Sequence, residues 1–388
     1  MNASSMSLLK QQQCNETKLQ IKIVYSNSSW KRSDANLKIN DKELNFVFKT
    51  LDPFLDFSEN EKETFSGLNE LKFIQILRKN KVLTEFSRKL AESKLEQIFL
   101  SKYPTLNKLI EELKSRHKNE LDEFLKISKR LATVDVHLLL IKSEGLFPHE
   151  SSNFDCLIKS EKLGVCNRVL REEGYRELTV AREPHKYLYR KIAAPKDLPL
   201  HIHTKVEWEA EEFADAQTLR RNARPFLNED SGAMVPSIED SILITIAHYF
   251  FEDHEIKLYD LLKLYALSME RELDWDYMFD ETIKLGWNDA FVLNLQLVNR
   301  MSVCCFGQDI LREFPKSDNS KQAQLALGTI TFDEFGRFKI PYGVSALFFI
   351  QKVFRTPHLS FFQKSQHIDY VISDILRRKI TGYWEFEA

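Results

Sequence analysis

At 388 residues the chain is long enough for two or three folded units with a sizeable core. Its 43% hydrophobic and 29% charged residues exclude wholesale disorder, a collagen-like chain and a disulfide scaffold. Lys plus Arg number 55 against 57 Asp plus Glu, a net charge of -2, so no global field draws nucleic acid or an acidic membrane; nucleic acid is not indicated as a partner.

Only 11 glycines leave little material for tight hairpins or Gly-rich phosphate loops, and the composition favours helix. The expected class is α+β and mostly helical. The five cysteines, Cys14, Cys156, Cys166, Cys304 and Cys305, are odd in number and lack CxxC spacing, which fits a reducing compartment. The N-terminal residues hold no apolar stretch long enough for a signal peptide, and runs such as LLLI and ILITIA fall far short of a membrane span. A soluble, cytoplasmic protein with no membrane partner is expected.

In chain order, residues 1–60 read as an N-terminal extension. Within it Leu19, Ile21, Ile23 and Tyr25 alternate with polar residues, predicting a strand, followed by a turn up to about Leu55. Residues 61–133 form a helical region, divided by the break at Tyr103-Pro104. In its second helix Ile110, Leu113, Leu121, Phe124, Ile127 and Leu131 share one face.

The period then changes. VDVHLLLI (Val134 to Ile141) and FDCLI (Phe154 to Ile158) predict strands, the second followed by an amphipathic helix ending at Gly174. KYLYRKI and LPLHIHTKVEW predict two more. Residues 134–210 thus form a small mixed α/β core. Residues 211–290 read as a helical region packing on that core, with Ser237 as an N-cap, and 291–388 as a C-terminal helical region.

SSNFDCLI concentrates the chemistry. On a strand Asn153 and Asp155 point to the same side, the spacing at which paired acidic residues hold Mg²⁺ for phosphoryl or nucleotidyl transfer. The same pattern also serves as a turn or cap. If LPLHIHTKVEW is one regular strand, His201, His203, Lys205 and Glu207 share a face, and Asp155 with His201 and His203 suits Mn²⁺, Fe²⁺ or Zn²⁺. His248, mid-helix in an apolar run, reads as a core histidine, and Asp260 as a cap. The basic runs LRRNARPF and ILRRK read as solvated surface. Walker, GxGxxG, HExxH and GxSxG motifs are absent from the sequence.

The run IKSEGLFPHESSNFDCLIKSEKLGVCNRVLREEGYRE, then EPHKYLYRKI, then LPLHIHTKVEW, resembles the divergent nucleotidyltransferase family, whose members share a DNA polymerase beta-like fold. The helix IAHYFFEDHEIKLYDLLKL and the segment RKNKVLTEF extend the likeness over roughly residues 68 to 270. The resemblance implies a nucleotidyltransferase-like core between helical regions. It also implies metal-dependent transfer of a nucleotide from an NTP to an acceptor hydroxyl, with Mg²⁺ as cofactor and Mn²⁺ as an option.

Carried onto this chain, the family's three acidic positions fall on Asn153, Asp155 and His201, the expected catalytic residues. Asp155, Asn153, His201 and His203 are the expected metal ligands. Lys142, Ser143, His185 and Lys205 are the expected substrate contacts, Ser143 standing where the family has Gly, with Gly145 near. Only one of three carboxylates is kept, so Glu144 or Glu207 is a candidate substitute. A second reading follows directly: a catalytically impaired pseudoenzyme acting as a nucleotide or metabolite sensor or as a scaffold. A third is a His/Asp transition-metal site with hydrolytic activity.

Overall fold

The computed structural model describes residues 41–54, 67–93, 95–142, 153–178, 185–193, 199–208, 211–311 and 331–356, with 364, 365, 368 and 369. The strand expected at Leu19 to Tyr25, together with Cys14, Ser143, Glu144, Gly145 and the ILRRK run, lies outside these residues.

Helix α1 (Lys42–Leu51) opens the described chain, where the sequence pointed to a turn. Asp41 caps it by accepting from the Leu44 amide, and Leu44, Val47, Phe48 and Leu51 are buried at helical spacing. Helices α2 (Glu70–Lys79), α3 (Leu83–Glu92) and α4 (Glu96–Leu100) pack against it. Phe46, Phe73, Phe86 and Phe99 meet there as a cluster of rings 5.2–6.2 Å apart. The long helix α5 (Pro104–Ala132) follows, its Pro at the first position, where a missing amide costs nothing.

Because α5 runs on to Ala132 and a turn with Asp135 at φ 59° ends it, strand β1 covers only Leu138–Leu140 and not the whole of 134–141. Strand β2 (Phe154–Leu157) and helix α6 (Leu163–Glu172) come next. Strand β3 (Tyr175–Leu178), which the sequence reading missed, then pairs antiparallel with β4 (Lys186–Lys191). The LPLHIHTKVEW run is two strands, not one. Strand β5 (Leu200–His203) stays in the main sheet, while β6 (Val206–Trp208) pairs with β7 (Glu211–Ala214) as a separate ribbon.

After helix α7 (Ala216–Arg221), strands β8 (Arg224–Pro225) and β9 (Ala233–Val235) return to the main sheet, so residues 211–290 are not purely helical. The seven strands run in the order β3, β4, β5, β2, β1, β9, β8, with β2/β5 and β1/β9 parallel and the remaining pairs antiparallel. Helix α8 (Ile238–His248) carries Ser237 as its N-cap and passes into a π-helical turn (Tyr249–Asp253). There follow β10 (Glu255–Ile256), α9 (Leu258–Glu270), α10 (Trp275–Lys284) and α11 (Asn288–Phe306). The last third is not all helix: β11 (Thr331–Phe332) and β12 (Phe338–Lys339) form a hairpin that joins β10, before α12 (Tyr342–Arg355).

Strand alternation sorts the sheet into two faces. Leu138, Leu140, Phe154, Cys156, Leu200 and Ile202 pack with Phe124, Ile127 and Leu131 of α5 and with Cys166 and Leu170 of α6. Leu139, Ile141 and Leu157 belong to the other, larger core, which takes in α1 to α4 and α8 to α12. The polar residues Asp155, His201 and His203 lie on this second face, where α8 and its π-turn close over the sheet. No helix among the described residues is long and apolar enough to cross a membrane.

Candidate functional site

Register places the central carboxylate. Leu140 lies opposite Cys156, so Ile141 faces Asp155 and donates its amide to the Asp155 carbonyl at 2.8 Å. On the other side, in parallel pairing, Asp155 stands opposite His201 and Leu157 opposite His203. Two neighbouring strands therefore bring both histidines to one carboxylate. Asp155 Oδ1 lies 2.8 Å from His203 Nε2 and 3.1 Å from His201 Nδ1. His201 Nδ1 is also 3.1 Å from the Asn153 carboxamide nitrogen, and the two imidazole rings sit 4.3 Å apart.

Lys142, just past the end of β1, completes the floor. Its ammonium lies 3.8 Å from Asp155 Oδ1, 3.4 Å from Glu252 Oε2 and 5.6 Å from the centre of the Trp208 ring. Lys142 has φ 71°, a left-handed backbone that a non-glycine residue rarely adopts. Lys263 Nζ donates to the Lys142 carbonyl at 2.7 Å.

The opposite wall is the π-turn after α8. It turns Glu252 and Asp253 toward the strands, with His248 Nε2 3.2 Å from Glu252 and Lys257 Nζ 2.6 Å from Asp253. Together these groups enclose a polar cleft of about 250 Å³, also lined by Lys81, Thr245, Tyr259 and Asp260. A groove of about 290 Å³ between α3 and α5, lined by Leu83, Ile110 and Leu113, is apolar and carries none of this chemistry.

The charge states follow from burial and pairing. Burial pushes the Asp155 carboxyl up, but Lys142 and the hydrogen bonds from His201 and His203 outweigh it and hold the group well below the usual carboxylate range. Burial likewise lowers the Lys142 ammonium, and Asp155, Glu252 and Asp253 reverse that and raise it. Burial pushes the His203 imidazole down to about 3 against the pull of Asp155, so a neutral ring donates Nε2–H to the carboxylate. Burial, aided by Lys142, brings His248 down to about 4. Glu252 is held at about 2, burial being outweighed by Lys142 and His248. The cleft thus holds ionised Lys142, Asp155 and Glu252 beside the neutral imidazole of His248, with the neutral ring of His203 beneath Asp155.

Of the residues singled out from the sequence, Lys142, Asn153, Asp155 and His201 line this cleft, with His203 hydrogen-bonded beneath Asp155. His185 and Lys205 do not reach it. Thr204 N–H bonds to the His185 carbonyl at the end of β5 and the chain leaves the sheet there, so Lys205 and Glu207 project from the β6/β7 ribbon. His185 Nδ1 lies 3.3 Å and Lys205 Nζ 2.7 Å from the Glu207 carboxylate, which is therefore no substitute ligand at Asp155. His248 lines the cleft, correcting its reading as a core histidine. Asp260 does cap: its carboxylate accepts from the Lys257 amide at 2.8 Å.

Glu252, Asp253, Lys257, Lys263 and Lys81 were missed. The first two reach the cleft because the chain continues past His248 for one wide π-turn. Among the described residues, Asp155, His201 and His203 are the group of three able to offer ligand atoms to one metal ion, all within 4.8 Å of one another.

Comparison with curated proteins and with solved structures finds no match. A family model described as "Uncharacterised nucleotidyltransferase" matches residues 66–302, a span that takes in the whole sheet, the cleft and α8 to α11 up to residue 302. That is more than half of the chain, which therefore belongs to this nucleotidyltransferase family.

Proposed function

We propose that the cleft binds the triphosphate of a nucleoside triphosphate, and that the protein transfers the nucleotide to an acceptor hydroxyl with one divalent cation held at Asp155. The observation that carries this reading is the juxtaposition of Lys142, just past the end of β1, with Asp155 of the neighbouring strand β2 at the floor of a polar cleft that Lys81, Lys257 and Lys263 also line. A triphosphate needs positive charge and fixed donors around it, and nucleotidyl transfer is mostly positioning and charge stabilisation of an in-line displacement.

The pair of Mg²⁺ ions associated with polymerase-like sites does not fit these residues. Hard cations sharing phosphate oxygens call for several carboxylates, and of the three matched positions only Asp155 supplies one. Asn153 offers oxygen without charge, His201 an imidazole. One cation does fit the donor set, and when bound it would add positive charge beside the phosphates. Lys142 supplies a second, permanent positive charge, kept in place by Asp155 and Glu252. In the transfer the acceptor oxygen bonds to the α-phosphorus, pyrophosphate leaves with the bond it takes, and the hydroxyl proton passes to water.

The experiment is a titration of wild type and Asp155→Asn with each labelled NTP, with and without Mg²⁺ or Mn²⁺, followed by assay of released pyrophosphate. Metal-dependent binding with pyrophosphate release, both lost in Asp155→Asn, supports transfer. Unchanged release in the variant overturns the assignment.

One observation favours a second reading, a nucleotide sensor without turnover. The Lys142 ammonium lies between two carboxylates and already neutralises much of the negative charge that would recruit metal. Metal-independent NTP binding without release would establish that reading, and absence of binding by any NTP would overturn both.

A further inference from the structure

We propose that Asp155, His201 and His203 form a site for a single borderline divalent cation of the Zn²⁺ and Co²⁺ class, selective against Mg²⁺. The inference deepens the transfer reading by naming its cation, but the site is defined by these side chains alone and is testable without nucleotide.

Three observations carry it. First, the ligand atoms converge. One atom from each of the three residues lies within 4.8 Å of the others, on two parallel strands whose register fixes them opposite each other. Two imidazoles and a carboxylate are the three-ligand set of many catalytic zinc sites, which leave a further position open. The cleft lies on the His201 side of this triad, His201 being partly exposed while His203 is 3% exposed. A phosphate oxygen would thus reach an ion from the His201 side.

Second, a further donor stands beside the triad. His201 Nδ1 lies 3.1 Å from both Asp155 Oδ1 and the Asn153 carboxamide. The Asn153 amide orients by its partners, and turned about would offer its oxygen as a fourth ligand atom.

Third, the charge balance selects the ion. With one carboxylate and Lys142 3.8 Å from it, the triad offers too little negative charge and too few oxygens to strip water from Mg²⁺. Imidazole nitrogen binds Zn²⁺ or Co²⁺ through covalency that does not depend on ligand charge. Lys142 keeps Glu252 as its own counter-ion at 3.4 Å, so Asp155 is released to a metal without stranding a buried ammonium. On the facing wall Asp253 pairs with Lys257, Asp260 accepts from the Lys257 amide and Lys263 donates to the Lys142 carbonyl, with Lys81 lining the cleft beside them.

The test uses the full chain, freed of metal with chelator and titrated with Co²⁺ and Zn²⁺ in the absence of nucleotide. The expected result is one Co²⁺ per chain with visible bands of low-coordinate, nitrogen-ligated cobalt, displaced by Zn²⁺ and unaffected by millimolar Mg²⁺. His201→Ala, whose side chain is partly exposed, should fold and weaken Co²⁺ binding by at least about ten-fold, and His203→Ala, if folded by circular dichroism, likewise. Failure to take up Co²⁺ or Zn²⁺, uptake unchanged in His201→Ala, or displacement by Mg²⁺ would each overturn the proposal. Pyrophosphate release assayed with Mg²⁺ or Mn²⁺ alone, without Co²⁺ or Zn²⁺, reports on the transfer reading separately, so failure of the cation assignment is distinguishable from failure of that reading.

Discussion

The carbonyl oxygen of Lys142 accepts a 2.7 Å hydrogen bond from Lys263 Nζ, so one buried lysine on α9 holds the strained backbone of another at the floor of the cleft. Lys263 is 1% exposed and its pairing spans 121 positions of chain. A left-handed, non-glycine residue persists only where its surroundings enforce it. The sequence offers no sign of this link, since Lys263 reads as one polar residue in an apolar helix.

Lys263→Met keeps the volume and removes the donor. It is expected to lower stability by about 1–3 kcal/mol, the cost of leaving a buried carbonyl unsatisfied. It is also expected to weaken NTP binding, because Lys142 loses its fixed position. Urea unfolding and an NTP titration on the same variant check both. Lost stability with unchanged affinity would reduce Lys263 to a packing role.

His201→Asp puts a carboxylate back at the third acidic position of the family pattern, giving the site two in place of one. Asp155 and the new carboxylate would face each other across the parallel strand pair, beside Lys142. Mg²⁺ affinity is expected to rise and Co²⁺ affinity to fall, because the site gains charge and loses an imidazole. Calorimetric titration with each ion measures the exchange. A flat Mg²⁺ response would count against the placement of His201 at an acidic position of the family.

What the sequence revealed was local, and what it hid was long-range. The alternation in SSNFDCLI and LPLHIH places Asn153, Asp155, His201 and His203 correctly on one face, because period two is a property of the strand itself. The continuation into TKVEW failed at Thr204, where a hydrogen bond to His185 ends the strand. Strands β8 and β9 escaped notice because two or three residues carry no period; β9 is placed by parallel pairing with β1, about 95 residues earlier, and β8 by antiparallel pairing with β9. Helix α1 was missed because Phe46 to Phe48 looks as much like a strand as a helix until the neighbouring helices are present. Glu252 and Asp253 become site residues only through the π-turn, a backbone event that composition does not announce.

Asp260 gives a pH signature separate from the triad. Burial raises its carboxyl to about 6, above the ordinary aspartate range, with Lys257 and the Lys257 amide opposing the shift. The folded protein therefore binds a proton that the unfolded chain has released, and stability falls as pH rises from about 4 to about 6. The effect amounts to at most about 3 kcal/mol. Asp260→Asn keeps an acceptor for the Lys257 amide and cannot ionise. It is expected to flatten this part of the stability curve, measured by urea midpoints between pH 4 and 7. An unchanged slope would place the proton elsewhere.

Beyond the family span, α12 supports the π-turn that carries Glu252. Ser345 Oγ lies 2.9 Å from His254 Nδ1, the Ile340 amide bonds the His254 carbonyl, and Tyr342 packs on the His254 ring at 4.5 Å. The same helix is anchored by Lys352, 1% exposed in its side chain, whose ammonium lies 2.7 Å from Glu211 of β7 and 4.9 Å from the centre of the Phe213 ring. Burial lowers the Lys352 ammonium, and Glu211 pulls the other way. Removing one member of such a pair leaves a buried charge, so Lys352→Met is expected to cost about 3–5 kcal/mol. Glu211→Leu with Lys352→Met removes both charges and should cost much less than the two single variants together, because no charge is stranded. A double-mutant cycle in urea measures that coupling. If the double variant recovers stability and NTP binding together, the region after residue 302 acts on the cleft through the docking of α12; if stability returns while binding stays low, the ion pair itself sets the position of the π-turn.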